Sequence, residues 1–543
     1  MHLRRVLLAL ATLLLLAFVA AALTAPRTGS ASPNRSPSAQ AATIGEWSAP
    51  EIAPGIVHAA VLATGKVLGY SHPSGLANPP WVWDPSTMTV EFVPVDVPNG
   101  SIFCSAQSFL ADGRLLVTGG HLAAPGDATG IPDIYLFDPF TEEWTPAGEM
   151  AVGRWYPTNV LLGDGRTLVF AGNDEAGIPT DLVEVYDPAS GMELVPGANR
   201  FLPVYPRMHL LPSGKVFVAG PQELTGTFDP ATVAWQAVDS SNNGYRGAGA
   251  SVLLPLQPPE YRPKVLIVGG GEPATETAEI IDLADPAPTW GSTGSMNYAR
   301  RNLNAVLLPD GKILAVGGNS TGPAENPVLQ AEIFDPVSET WTEVASMERP
   351  RVYHSIAILL PDGRVAAGGS DGESTVEFYS PPYLFQGQRP QISFAPEAIS
   401  YGNNVQVSTP DAQDIAKVVL MRPAAVTHSV DMEQRYLELD FQASANSLTA
   451  QVPANPNLAP PGYYMLFIVN SDGVPSEAMF TRLAANAVGG VAELAEVALM
   501  SLEAPVSSGP DAGAPGATIA GAAMAGILAL SGAAWYAWKR RPG

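Results

Sequence analysis

Short apolar runs that close on glycine recur along most of the chain. They are Val117-Thr-Gly-Gly120, Phe170-Ala-Gly172, Val218-Ala-Gly220, Val268-Gly-Gly-Gly271, Val316-Gly-Gly318 and Ala367-Gly-Gly369. A turn with a basic residue leads into each run, strongest as Asp112-Gly-Arg114, Asp164-Gly-Arg166, Asp310-Gly-Lys312 and Asp362-Gly-Arg364, weaker as Thr64-Gly-Lys66 and Ser213-Gly-Lys215. An aromatic-Asp-Pro turn follows, usually with a Trp beyond it, as in Phe137…Trp144, Phe228…Trp235 and Phe334…Trp341; the copy at Tyr186 lacks the Trp. The basic markers Lys66, Arg114, Arg166, Lys215, Lys264, Lys312 and Arg364 give a period of roughly 50 residues, which is the kelch range. Seven markers predict an all-β fold, a seven-bladed kelch-type β-propeller over 46–388, with four strands per blade around a central channel. A strand near Trp47 is expected to complete the last blade and so remove the exposed sheet edges.

After Pro381-Pro382 the period stops. Residues 389–483 carry short alternating runs, such as Asn404-Val-Gln-Val-Ser408 and Tyr436-Leu-Glu-Leu-Asp-Phe441. They predict an Ig-like β-sandwich, with a long hairpin connection between Met421 and Tyr436 that holds Thr427-His428-Ser429.

The ends read differently. Arg4-Arg5 before the apolar run Val6–Leu23, and small residues after it, predict a signal peptide over 1–31, with an uncleaved anchor as the alternative. Residues 32–45 form a linker and 484–515 a stalk. Residues 516–538 are expected to be a transmembrane helix with a cytoplasmic tail at 539–543, because the stretch is uncharged, ends in aromatics and precedes Lys539-Arg-Arg541. This places the bulk of the protein at the cell surface. Composition adds two points. A net charge of −24 argues against a nucleic-acid surface, and 52 Gly with 52 Pro fits turn-rich β architecture. A monomer is expected.

Candidate chemistry lies in one repeat position. Eight residues before each turn the chain holds Ile56, Cys104, Tyr156, Tyr205, Asn302 and His354, the last preceded by Tyr353. Residues at one offset before the innermost strands should ring one end of the channel. The set includes the single cysteine of the chain, which outside the cell has no intramolecular disulfide partner. Two imidazoles and two phenols make an N/O set suited to copper(II).

Four pieces, Phe103-Cys104-Ser105, Arg154-Trp-Tyr156, Arg351-Val-Tyr353-His354 and Thr427-His428 with Gln434-Arg435, stand in this order. Together they resemble the copper-radical oxidases, the family of galactose oxidase and glyoxal oxidase, over about 46–483. The resemblance implies one copper per chain, held by Tyr156, Tyr353, His354 and His428. It implies a thioether between Cys104 and Tyr156, with Tyr156 as the radical-bearing ligand and Tyr353 as the base. It also implies that His428 enters the channel from the second domain. A radical on the modified tyrosine would hold the second of the two electrons that an alcohol or aldehyde oxidation removes. The implied partners are a small aldehyde, primary alcohol or carbohydrate and dioxygen, with hydrogen peroxide as a product.

Two departures from galactose oxidase point to the glyoxal-oxidase side of the family. The loop that supplies its stacking Trp reads Ala171-Gly-Asn-Asp-Glu-Ala-Gly177 here, without an aromatic. Propeller strands begin soon after the linker, without a preceding sugar-binding domain. Trp155, Tyr205, Arg207 and Arg246 are further candidates for the pocket wall. A non-catalytic propeller that binds envelope glycans or proteins is the alternative. A sialidase-like propeller would show Ser-x-Asp-x-Gly-x-Thr-Trp turns, and the chain has none.

Overall fold

The computed structural model describes residues 40–72, 79–98, 100–122, 128–322 and 324–484. The expected leader, nearly all of the stalk, the membrane helix and the tail lie outside them. Among the described residues no helix is long and apolar enough to cross a membrane.

The Asp-Gly-Arg turns form for a local reason. Asp112 accepts the backbone N–H of Arg114 (3.1 Å) and its guanidinium Nε (2.8 Å), and Asp164 and Asp362 do the same for Arg166 and Arg364. The intervening Gly113, Gly165 and Gly363 take φ of 95°, 88° and 84°, a region open to glycine at little cost. Each turn joins the innermost strand of a blade to the next strand outward. Blade 2, for example, runs Ala106–Phe109, Leu115–Thr118, Ile131–Asp138 and Glu143–Arg154, all antiparallel.

Seven such sheets follow one another among the described residues. The innermost strands of blades 2 to 7 touch in chain order, and the last, Ser355–Leu359, touches that of blade 1, His58–Val61. Gln107 of blade 2 donates its side-chain amide to Ala59 O of blade 1, so the ring closes. The expected N-terminal strand is present. Glu46–Trp47 pairs antiparallel with Thr375–Ser380, Trp47 opposite Tyr379, and supplies the fourth strand of the last blade. Residues Ala41–Ile44, assigned to the linker from sequence, form a helical turn against Pro382–Phe385 and so belong to the folded unit. Outer-strand tryptophans tie neighbouring blades: the indole N–H groups of Trp144, Trp235, Trp341 and Trp47 donate to the carbonyls of Val93, Ala198, Gly294 and Ala345 in the preceding blade.

The sandwich packs one sheet (Ala398–Ser400, Met479–Ala484, Gly462–Asn470, Ile415–Met421, Tyr436–Leu439) against a smaller one (Asn404–Ser408, Ser447–Gln451, Phe441–Ala443). Its core is continuous with the propeller's. Val418, Leu420, Leu448 and Ile468 cluster with Phe217, Leu253 and Val265, and Met421 and Phe467 with Leu314 and Leu359. Propeller and sandwich belong to a single compact unit.

The long connection of the sandwich leaves its own sheet altogether. Ala425–Thr427 pairs antiparallel with the innermost strand of blade 1, with His58 opposite Thr427 and Ala60 opposite Ala425. It lies against the inner strands of blades 2 and 7 as well. The second domain thus sends a hairpin into the propeller axis, and the hairpin is hydrogen-bonded there as an additional innermost strand.

Candidate metal centre

In six of its seven copies the repeat position singled out in the sequence has one backbone conformation, and Ile56 in blade 1 departs from it. Cys104, Tyr156, Tyr205, Asn302 and His354 have φ of 66°, 63°, 46°, 56° and 65°, and Ala248, at 57°, fills the position in blade 5. A left-handed conformation costs a residue with a Cβ about 1–2 kcal/mol, so the ring is strained, and the strain serves a turn. Each of these residues bends the chain from the incoming connection into an innermost strand. The bends are linked across blades, since Tyr156 N–H donates to Cys104 O (2.9 Å), Tyr205 N–H to Tyr156 O (2.8 Å) and Asn302 N–H to Ala248 O (2.7 Å). Cys104 and Tyr156 are therefore direct neighbours.

Arginines just before the bends hold them in place. Arg154, Arg246, Arg300 and Arg351 are buried and paired with Glu184, Glu279, Glu332 and Glu377 at 2.7, 2.8, 2.5 and 3.0 Å. In the first three the arginine stands two residues before the bend; in the last blade it stands three before. The additional residue is Tyr353, so one blade presents two donors. Arg246 is thus a structural ion pair and Arg207 spends its guanidinium on Gly249 O. The suggestion that these two line the pocket is not upheld.

Five predicted residues come together at this end of the axis. The rings of Tyr353 and His354 stack at 3.8 Å, His354 meets His428 edge-on at 4.6 Å, and Tyr156 lies 4.5 Å from His428. The Tyr156 and Tyr353 hydroxyls are hydrogen-bonded to each other. His428 occupies the tip of the hairpin, where His428 and Ser429 have φ of 48° and 67° between the paired Thr427 and Val430. That is a tight turn with both central residues left-handed, a place where Asn-Gly is usual.

The two imidazoles share one arrangement. His354 Nδ1 is engaged by Asp371 Oδ1 (2.5 Å) and His428 Nδ1 by Thr427 Oγ1 (2.6 Å). Both Nε2 atoms are buried without a hydrogen-bond partner. Two orphaned imidazole nitrogens facing two phenols form an incomplete site, because buried polar atoms are normally satisfied. The donors fit a copper(II)-sized N/O centre. Among the described residues no group of three His, Cys, Asp or Glu could hold a metal; half of this donor set is phenolic.

Burial keeps the donors neutral. It pushes the Tyr353 phenol up to about 12 and Tyr156 well above the ordinary tyrosine range, where the neighbouring Cys104 and Tyr353 add to the effect. It lowers both imidazoles, His354 against the opposing pull of Asp371, and His428 further because His354 and His58 lie close. A bound cation would reverse this bias by stabilising phenolate.

Cys104 is 1% exposed, and burial raises its thiol strongly despite hydrogen bonds toward Tyr156 and Trp155. His58, which no sequence signal singles out, accepts the Cys104 N–H at 3.0 Å. Tyr205 donates its hydroxyl to Ser105 O (2.9 Å). The cysteine is thus held from both sides against the Tyr156 ring. That ring is itself covered twice. Trp155 stacks on it at 3.5 Å and 9°, and Tyr205 at 4.3 Å and 24°; two near-parallel rings so close cannot share a face. The later loop supplies no aromatic, as its sequence reads, and the residue preceding Tyr156 covers the ring in its place. Asp371 was also missed. It stands 17 residues from His354 in sequence and becomes its neighbour because Ser355 pairs with Gly369.

Known proteins similar to this chain match both its propeller and its sandwich. The profile of the glyoxal oxidase N-terminus matches residues 83–386, and that of the galactose oxidase-like early set domain matches 389–483. Galactose oxidase of Gibberella zeae is 31% identical over 445 residues, 74% of this chain and 63% of its own length. This chain therefore spans less than two thirds of that relative. Aldehyde oxidase GLOX of Vitis pseudoreticulata is 30% identical over 446 residues, 70% of this chain and 82% of its own. The structure of a fungal alcohol oxidase of the AA5 family in complex with copper superposes with a TM-score of 0.72 at 27% identity, covering 81% of this chain and all of that one.

Proposed function

The chain belongs to the glyoxal oxidase and galactose oxidase family, and from that premise we propose that it is an extracellular mononuclear copper-radical oxidase. It would convert a small aldehyde or primary alcohol, including a sugar terminus, with dioxygen to the oxidised product and hydrogen peroxide. An alcohol gives the aldehyde directly, and an aldehyde reacts with water as its hydrate to give the acid. The observation that carries this reading is the convergence of two orphaned imidazole nitrogens and two phenols beside a buried cysteine.

Tyr156, Tyr353, His354 and His428 would hold the copper, which when bound supplies a Lewis acid and a one-electron acceptor. Tyr353 is the base that takes the hydroxyl proton of the substrate; its hydroxyl already exchanges a hydrogen bond with Tyr156. Tyr156, joined by a thioether to Cys104, would supply the second oxidising equivalent. Trp155 and Tyr205 exclude water from both faces of that ring, and Phe103, 5.4 Å from the His354 ring, closes the side toward the imidazoles. Export by the N-terminal apolar run, and retention at the membrane by residues 516–538, complete the proposal; protease added to intact cells should release the folded unit.

The test begins with protein purified without copper, then loaded with Cu(II) in air and digested. The expected product is a Cys104–Tyr156 peptide pair that survives reducing agents and lacks two hydrogens. Peroxide should form with small aldehydes or primary alcohols, and Cys104→Ser should abolish the cross-link and most peroxide while the protein stays folded. A Cys104 that remains freely alkylatable after loading would overturn the reading in favour of a binding propeller.

A further inference from the structure

We propose that Asp371 is a positioning residue that fixes His354 as the stronger of the two imidazole donors, so that the centre is built unequal. The inference rests on the metal-binding reading above. An ionised carboxylate can only accept a hydrogen bond, so Asp371 requires the His354 proton on Nδ1 and leaves the Nε2 lone pair directed into the centre. Thr427, the counterpart for His428, is a hydroxyl that can donate or accept. Thr427 permits the metal-binding tautomer, whereas Asp371 imposes it and adds negative charge behind the ring.

The carboxylate is mounted for this task. The N–H of the preceding Ser370 donates to the carbonyl of His354 itself (3.0 Å), and the N–H of Val352 reaches the Ser370 hydroxyl (3.4 Å). Ser370 keeps a φ of 108°, a strained value for a residue with a Cβ that places Asp371 over the Nδ1 edge. Asp371 is 62% exposed, so its charge costs little desolvation, while the atom it controls is buried. Carboxylate–imidazole–metal relays of this form typically change metal affinity about 10–100-fold.

The experiment titrates copper-free full-length protein with Cu(II) alone against a competing chelator and records the copper EPR spectrum. Asp371→Ala should weaken Cu(II) binding at least about tenfold and alter the copper hyperfine pattern, with the unfolding midpoint little changed. Asp371→Asn, which keeps an acceptor but loses the charge, should fall between, and it carries the test if the alanine variant does not fold. Thr427→Val should lose less than Asp371→Ala. Unchanged affinity and spectrum in both Asp371 variants would overturn the proposal, as would an equal or larger loss in Thr427→Val. The metal-binding reading fails separately, if the wild type takes up no Cu(II) or if His354→Ala binds it as tightly.

Discussion

At the scale of single residues, the site is defined by groups whose burial favours their neutral forms. Burial raises both phenols, Tyr353 to about 12, and lowers both imidazoles. The copper-free pocket therefore carries phenol protons that a bound cation must displace. A raised group keeps its proton until the pH rises through its value, so higher pH favours the loaded form. Cu(II) affinity should then rise about tenfold per pH unit for each proton released. The slope should hold between about pH 6.5 and 9, because the imidazoles do not compete above their ordinary value of about 6.5. Chelator competition at several pH values measures this, and a flat profile would exclude phenolate ligands. Trp155 gives a second expectation at the same scale. Trp155→Leu leaves Cys104 and Tyr156 in place, so the cross-link should form as in the wild type. One face of the Tyr156 ring is then open to water, and the visible absorption of the oxidised protein should decay faster. An unchanged decay would mean that the stack only packs.

At the scale of elements, the kelch repeat supplies identical bends and the sequence changes what each bend presents. The offset of eight residues could be read from sequence because a hairpin turn fixes the register of the strand before it. What the offset meant could not, since nothing in Cys104, Tyr156 or His354 announces a left-handed backbone, a conformation usual for glycine or asparagine. The same limit hid Asp371, whose proximity to His354 depends on cross-strand register. Arginine and glutamate positions were visible but not their partners, and so Arg246 read as a possible pocket residue. In the structure such arginines are struts. Arg300 is fully buried, donates to Gly317 O and Gln330 O, and pairs with Glu332. Arg300→Met leaves the Glu332 charge buried without its partner and should cost about 3–5 kcal/mol. The double variant Arg300→Met, Glu332→Leu should recover part of that loss, since no buried charge remains. Denaturant midpoints of the three proteins decide the matter; a single variant as stable as the wild type would show that the pair is not a strut.

At the scale of the whole molecule, the second domain supplies the hairpin that fills the propeller axis. The sandwich was legible as a separate β unit from the end of the period and the alternation that follows it. Its long hairpin was legible as the connection between Met421 and Tyr436, but that hairpin's entry into the channel only through the resemblance carried by Thr427-His428, because no local pattern says which sheet a strand will join. Once in the axis, the hairpin and the residues after it are fastened to several blades. Gln107 Nε2 donates to both Ala59 O and Val426 O, Glu433 accepts the N–H of Phe109, Gln434 bonds both backbone groups of blade 6 at Leu307 and Ala305, and Arg435 donates to Leu210 O. Removing the sandwich would strip these partners from inner strands of blades 2, 4 and 6 and the paired hairpin strand from blade 1, leaving backbone groups buried or newly wetted at about 1–3 kcal/mol each. A chain ending near residue 388 should therefore lose both Cu(II) binding and cooperative folding. His428→Ala in the full chain separates the two effects, because it removes one imidazole at the hairpin tip and leaves every one of those fastenings in place. That variant should unfold in a single transition like the wild type yet bind Cu(II) far more weakly. The intact protein should also unfold propeller and sandwich together, as their shared core requires. Two separable transitions, with copper retained by the propeller after the first, would show that the sandwich is an accessory and that His428 is not a ligand.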